Sequence, residues 1–329
     1  MAKVAVTGGA GFLGSHIVKR LLDEGHEVVI IDNFSSGFKE NLSELGVEKE
    51  CVVGDLREID FARDSLKGAD TLFHFAAEVG SVAYLHGSRE SEVDALQSNL
   101  LIDAAVFRAC RENNVRTAIY ASSVSVYPAD EQMGSHAVFR EEDSDRKVNP
   151  EGGYGWSKYV AEKQLGLMPD MHVGIARIFH AYGQNIYLKE DRSQVIGSLL
   201  RKAIRYPKQD FIVWGDGSAK RCFLYIDDFL DALFKLLQYI ERKNNLTVNM
   251  GATEEVSIGA LAKMIVTLSK KDIPIRFDKS QPTGVRSRVP DLGRVSSVLG
   301  WKPKTSFAEG LKRTYEWAEE RLAKWFVGR

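Results

Sequence analysis

The 329-residue sequence predicts an α/β fold: a doubly wound parallel sheet with helices on both faces, followed by a smaller mixed α/β part. Three observations carry that expectation. Short apolar segments alternate with amphipathic ones through the first half. Two of the apolar segments, VVII and TLFHF, run almost without interruption, as strands buried on both faces do. A glycine-rich turn, TGGAGFLGSH, joins the first apolar segment directly to the first amphipathic one.

Taken in order, KVAVTG is a short apolar strand. SHIVKRLLDEG carries apolar residues at helical spacing, with Gly25 just past its end, where a helix-terminating glycine belongs. HEVVIIDN, KECVVGD, TLFHFAA and TAIYASS read as further strands. An amphipathic stretch from about Val93 to Asn113 supplies the crossover helix between the last two. Beyond Tyr127 the text turns polar and irregular through DEQMGSHAVFREEDSDRKVNPEGG, which reads as one long loop. Order resumes at the helix YGWSKYVAEKQL and the strand HVGIARIF. Helices VIGSLLRKAI, DDFLDALFKLLQYI, IGALAKMIVTL and FAEGLKRTYEWAEERLAKWF follow, with no second set of alternating strands. The C-terminal part therefore reads as a smaller cap on the first.

Composition narrows the function classes. The formal net charge of -1 makes no electrostatic case for nucleic acid or an anionic membrane. No apolar run reaches the roughly 18 residues of a spanning helix. MAKVAVTGGAG enters a strand at once and lacks the features of a signal peptide. Cys51, Cys110 and Cys222 are widely spaced and form no CxxC or Cys/His set. They predict buried or half-buried thiols in a reducing cytoplasm and no metal site.

Gly8, Gly11 and Gly14 follow a strand and open a helix, with Phe12 and Leu13 among them. Such glycines allow a tight turn and close backbone approach, and the helix N-terminus offers free N–H groups to a pyrophosphate. Asp32 ends the second strand about 20 residues on, where a carboxylate accepts from a ribose diol and repels a 2′-phosphate. Neighbouring Asn33 and Phe34 add no cation. NAD is expected rather than NADP. Asp55, in the GD closing another strand, faces an adenine or serves as a turn acid. Tyr154 and Lys158 stand four apart in YGWSK, on one helix face. An ammonium beside a phenol lowers the phenol's pKa from about 10 and makes a usable general base.

TGGAGFLGSH, Asp32, GD, HFAA, SSVSVYP, YGWSK, ARIFHAYG, WGDGSAKRCFLYIDD and LGWKPKTSFAEGL together resemble the extended short-chain dehydrogenase/reductase family that acts on nucleotide sugars. The likeness covers nearly the whole chain, in the family's order. It implies a Rossmann NAD-binding domain over residues 1–178, a segment at about 218–242 packing back on it, and a nucleotide-sugar domain over 179–329. It implies NAD contacts from Leu56, Phe75, Ala76, Ala77, Asn99 and Ser122 besides the residues above, Tyr154 and Lys158 included. By the same likeness Ser123 and Tyr154 flank the sugar hydroxyl to be oxidised, and Lys158 supports Tyr154. Glu78, Ser81, Ser125, His180, Arg221 and Arg288 meet the substrate. Arg221 matches an arginine that grips the diphosphate with forked, charge-assisted bonds. The family's usual homodimer implies pairing through residues 96–111 and 154–167.

Family members begin alike, removing a hydroxyl proton while a hydride leaves the same carbon. They diverge in the loop after Ser123. Dehydratases carry an Asp-Glu pair where this chain has Val124 and Ser125, and decarboxylating relatives carry Glu at the Ser125 position. The closest likeness is to the GDP-mannose 3,5-epimerases, through VNMGATEEVS, GVRSR and LGWKP among others. Their cysteine and lysine are matched here by Ser125 and Gln194. A serine without a base beside it is a poor partner for a carbon acid, which leaves His180, Lys189 or a shifted lysine as replacements. His86 lies near a family substrate loop. The expected function is therefore cytoplasmic, NAD-dependent C4 epimerisation of a UDP- or GDP-hexose through a transient keto sugar. The alternatives are 3,5-epimerisation with replaced groups, net oxidoreduction, and a nucleotide sensor without turnover.

Overall fold

Seven parallel strands form the central sheet. Their spatial order is Leu246–Met250, His172–Ile178, Thr117–Ser123, Thr71–His74, Lys3–Thr7, Glu27–Asp32 and Cys51–Val53. The structure is a computed structural model describing residues 2–327 apart from 135, 169, 244, 282 and 283. From Lys3–Thr7 the chain winds outward to Cys51–Val53, then returns to the other side with Thr71–His74. The order thus reverses between Lys3–Thr7 and Thr71–His74. In open α/β sheets such a switch point leaves a crevice at the carboxyl ends of the strands, and the ligand-sized cavity of this protein lies there.

Both faces of the sheet are covered. Successive residues Val4, Ala5 and Val6 are all buried, as are Leu72 and Phe73. Helix Phe12–Asp23 buries Ile17, Val18 and Leu21. Its end is closed by Gly25 N–H to the Leu22 carbonyl and His26 N–H to the Leu21 carbonyl, both 3.0 Å, with Gly25 at φ +78°. The crossover helix starts earlier than its apolar periodicity suggests, at Arg89, and runs to Glu112. A reciprocal cap explains the difference: Ser88 Oγ accepts from Ser91 N–H, and Ser91 Oγ accepts from Ser88 N–H.

Two expectations need correction. The C-terminal half does contribute a strand to the main sheet. Leu246–Met250 pairs with His172–Ile178, reached through helix Ile226–Ile240. Its alternating LTVNM text hides it, because Asn249 is fully buried yet satisfied by hydrogen bonds to Glu141, Phe139, Asp291 and Tyr127. The elements that return to the sheet span residues 226–250. The 128–151 segment is also not a free loop. Val138–Phe139 pairs with Val289–Pro290, Asp143–Arg146 is a short helix, and Phe139 stacks on Tyr127 at 4.8 Å between ring centroids.

Helices Val195–Arg205, Ile258–Ser269 and Phe307–Val327 build the second lobe. Short strand pairs complete it: Ile212–Trp214 with Arg276–Asp278, and Lys220–Cys222 with Glu255–Ser257. The three cysteines are free thiols, two of them buried. No helix among the described residues is long and apolar enough to cross a membrane.

Candidate active site

One cavity of about 1300 Å³ runs from the glycine turn to the second lobe. At its first end, backbone lies against backbone. Gly8 has φ +69°, and a Cβ there would stand 2.8 Å from Ala76 N. A Cβ on Gly14 would stand 2.0 Å from the Gly8 carbonyl oxygen. No side chain fits between the turn and the helix start, so the N–H groups of the helix's first turn face the cavity uncovered. Gly14→Ala is expected to force the turn open. NAD should no longer co-purify, and stability should fall by about 1–3 kcal/mol as in other overpacked sites; nucleotide content and a thermal melt check both.

Asp32 is buried at the end of its strand and lines the same cavity. Burial raises its carboxyl pKa, while Ala10 N–H (2.9 Å) and Phe34 N–H (2.7 Å) oppose the rise. An ionised carboxylate has about four acceptor sites, so two backbone donors leave capacity for a ribose diol. Gly11, Phe12, Leu13, Asn33, Leu56, Phe75, Ala76 and Ala77 line the wall as expected. Asp55 also lines it, but its carboxylate is engaged by Arg57, which holds its pKa low. Asn99 departs from expectation. It lies behind the wall, buried, with Oδ1 accepting from Glu78 N–H (2.7 Å) and Nδ2 donating to the Glu78 carbonyl (3.0 Å). Its amide matches one peptide unit, so it braces the wall instead of meeting the cavity. The cradle and the Asp32 carboxylate fit NAD, and the adjacent Asn33 and Phe34 carry no charge.

The chemical groups meet further along. Ser123 closes strand Thr117–Ser123, and Tyr154 and Lys158 project from helix Gly152–Gly166. Ser123 and Tyr154 face each other across the cavity wall, close enough for the serine hydroxyl to pull the phenol pKa down. Lys158 Nζ lies 5.9 Å from the Tyr154 ring centroid and closer, 4.6 Å, to that of Tyr120. The expected lowering of the phenol pKa by Lys158 is not what this site shows. Burial pushes Tyr154 up to about 12, the Ser123 hydroxyl pulls it back, and Asp103 adds to the rise. Burial also lowers the Lys158 pKa, against Asp103 and Glu162. Burial wins because both groups are enclosed and the ammonium faces Tyr120. Ser122 lines the cavity, but its hydroxyl turns inward to Glu162 (2.5 Å).

The loop after Ser123 is not without a base. Ser125 Oγ donates to Glu151 Oε2 at 3.1 Å, and Glu151 N–H donates to the Ser125 carbonyl at 2.8 Å. Glu151 also forms an ion pair with Arg288. Burial opposes its charge, yet Arg288, His86 and Ser125 together hold its pKa low. The sequence reading missed Glu151. The available signal was its place three residues before Tyr154, at the N-cap of a helix whose first turn opens on the site.

The far end of the cavity is cationic. Arg221 and Arg288 line it together, both buried, and burial followed by Arg288 brings the Arg221 pKa down to about 10. His180 sits between strands at φ +45°, a region that favours glycine and, to a lesser degree, Asn and His. Burial, then Arg221 and Arg288, depress its pKa well below the usual value, and Nε2 has no hydrogen-bond partner among the described residues. Asp227 meets Arg313, and Asp228 takes the Thr305 N–H. Glu78 lines the cavity held by Arg192 and Tyr84. Ser81 caps helix Val82–His86, and His86 pairs with Glu92 at 2.7 Å. Gln194 lines the cavity, whereas Lys189 lies over the Phe38 ring outside it and is no replacement for the missing lysine.

The NAD dependent epimerase/dehydratase family matches residues 4–251. GDP-mannose 3,5-epimerase of Arabidopsis thaliana is 30% identical over 325 residues, covering 98% of this chain and 83% of that one. UDP-N-acetyl-alpha-D-glucosaminuronate decarboxylase of Bacillus cytotoxicus is 28% identical, covering 96% and 97%. The solved structure of UDP-N-acetylglucosamine 4-epimerase from Methanobrevibacter ruminantium, in complex with UDP-N-acetylmuramic acid, matches with a TM-score of 0.82 at 25% identity, covering 97% and 99%. The chain belongs to the NAD dependent epimerase/dehydratase family, and its cofactor is NAD.

Proposed function

We propose that this protein epimerises a nucleoside diphosphate hexose at C4 through a transient keto sugar. The observation that carries this reading is the Ser123–Tyr154 hydroxyl pair, set in the cavity wall between the glycine cradle and the Arg221/Arg288 end. NAD, when bound, supplies the hydride acceptor and donor. Tyr154 takes the proton from the C4 hydroxyl and later returns it. Ser123 hydrogen-bonds the same oxygen. Lys158 stands on the same helix face, 5.9 Å from the Tyr154 ring centroid, and Arg221 with Arg288 holds the diphosphate by charge-assisted bonds. The cavity runs from the glycine cradle to the arginines, as a site that takes a dinucleotide and a nucleotide sugar together must.

A second reading has its own support. Ser125 with Glu151 offers a base-linked hydroxyl where the 3,5-epimerases carry their cysteine. Incubation in D2O with UDP-glucose and GDP-mannose, separately, tests both by proton NMR. A C4 epimer free of carbon-bound deuterium is expected. Deuterium at C3 or C5 would replace the first reading with the second. Sugars of unchanged configuration and no label would defeat both.

A cytoplasmic location and a homodimer belong to the same proposal. Val93 and Leu101 on helix Arg89–Glu112, and Trp156 on helix Gly152–Gly166, are exposed apolar side chains that a second copy would cover.

A further inference from the structure

A line of buried polar side chains connects the glycine turn to Lys158. Thr7, at the end of the first strand, accepts from Phe75 N–H and Ala76 N–H, both at 3.2 Å. Its hydroxyl hydrogen is then free for His74 Nδ1, 2.6 Å away. That count leaves the ring proton on Nε2, which donates to Asp103 Oδ1 at 3.0 Å. Tyr120 donates its hydroxyl to Asp103 Oδ2, also at 3.0 Å. Lys158 Nζ rests 4.6 Å over the Tyr120 ring. Thr7, His74, Asp103, Tyr120 and Lys158 are all buried.

A buried carboxylate is costly unless it is paired and hydrogen-bonded. Asp103 has two good donors, one from the ring of His74 and one from Tyr120. The cation that shares its surroundings is Lys158 on the neighbouring helix. We propose that Asp103 is the buried counter-charge of Lys158, a positioning residue that holds the ammonium over Tyr120 and beside Tyr154. The carboxylate acts across the Tyr120 ring, so it touches neither substrate nor cofactor.

The other groups around Lys158 are few. Tyr154 and Glu162 lie on its own helix, and Glu162 is itself neutralised by Arg177 on strand His172–Ile178 at 2.6 Å. Tyr120 comes from strand Thr117–Ser123, Asp103 from helix Arg89–Glu112, and His74 from strand Thr71–His74, acting through Asp103. The segment Val124–Val126 brings no titratable group, and His86 on helix Val82–His86 faces Glu92 and Gly152. With Glu162 already paired, Asp103 is the carboxylate left to balance the ammonium. It raises the Lys158 pKa and, as a like charge to the phenolate, raises that of Tyr154 as well.

This inference rests on the reading that Lys158 serves Tyr154, but its first test does not require turnover. The Cε signal of Lys158 in 13C-lysine-labelled protein, identified by its loss in Lys158→Met, is titrated against pH. In Asp103→Asn its midpoint should fall by about one pH unit, a ten-fold change in proton affinity. Asp103→Glu should keep it near the wild-type position. Asp103→Ser, smaller and also uncharged, takes the place of Asn if that variant does not fold. A midpoint that stays put in a folded, uncharged variant would overturn the proposal.

The pH profile of turnover is the second readout. Because burial sets the phenol above the ammonium, the rise with pH levels off at the ammonium's pKa and the fall begins at the phenol's; loss of Asp103 should move both to lower pH. A bell of reduced height in its old position would make Asp103 merely structural. Lack of turnover on any nucleotide sugar would defeat the proposed function and leave the lysine titration standing.

Discussion

Tyr154→Phe should lower kcat by about 10²–10⁴-fold, the usual worth of a positioned acid/base group, while NAD remains bound. The ring stays, and with it the packing of the helix against strand Thr117–Ser123. Only the hydroxyl that faces Ser123 is lost. The glycine cradle and Asp32 lie elsewhere in the cavity and are untouched. The pH dependence gives an independent check. With the phenol pushed up to about 12 by burial, more of it ionises with each unit of pH through the neutral range. Wild-type kcat/KM should therefore rise with pH there, and the residual rate of the Phe variant should not. Steady-state kinetics with bound-nucleotide analysis reads both. Equal rates in the two proteins would remove Tyr154 from the chemistry and revive a binding-only role.

Arg177→Met should cost about 3–5 kcal/mol of stability, the range for a buried ion pair left with one partner. All five guanidinium N–H groups of Arg177 are used. Nε and Nη2 hold Glu162 at 2.9 and 2.6 Å, Nη2 also reaches Ser144 at 2.8 Å, and Nη1 reaches the Glu141 carbonyl at 2.6 Å and Tyr127 at 3.2 Å. Burial opposes the charge, and Glu162 more than offsets it, so the Arg177 pKa is raised. Loss of the guanidinium leaves Glu162 buried with only the Ser122 hydroxyl. It also frees the 128–151 segment at two points. At about 2–4 °C per kcal/mol for a large domain, the melting temperature should fall by roughly 10 °C. Adding Glu162→Met should recover part of the loss, because an apolar pair needs no counter-charge. A melt within 2 °C of wild type would show that the network carries little of the stability.

Legibility from sequence followed the range of the interaction. The glycine turn, six of the seven central strands and the long helices were readable because each rests on local rules. Gly8 needs a positive φ, and Tyr154 and Lys158 share a helix face through their spacing. Asp32 could be placed from its distance to the glycines along one βαβ unit. The strand Leu246–Met250 escaped because its polar Asn249 is satisfied by four partners far off in the chain. Asn99 was given to the cofactor by family likeness alone, which says nothing of the Glu78 peptide its amide clasps.

The sequence by itself determined the α/β class, the NAD cradle, the Tyr154/Lys158 pair and the family, since backbone sterics and helical periodicity act within a few residues. Only the tertiary structure decided which charges meet. Glu151 reaches Arg288 across 137 positions, Arg177 reaches Glu141 and Tyr127 from another strand, and Asp103 reaches His74 across 29. The physical reason is that a buried charge is tolerated only beside its partner. Where that partner stands is set by how sheet and helices pack, and no spacing rule records it.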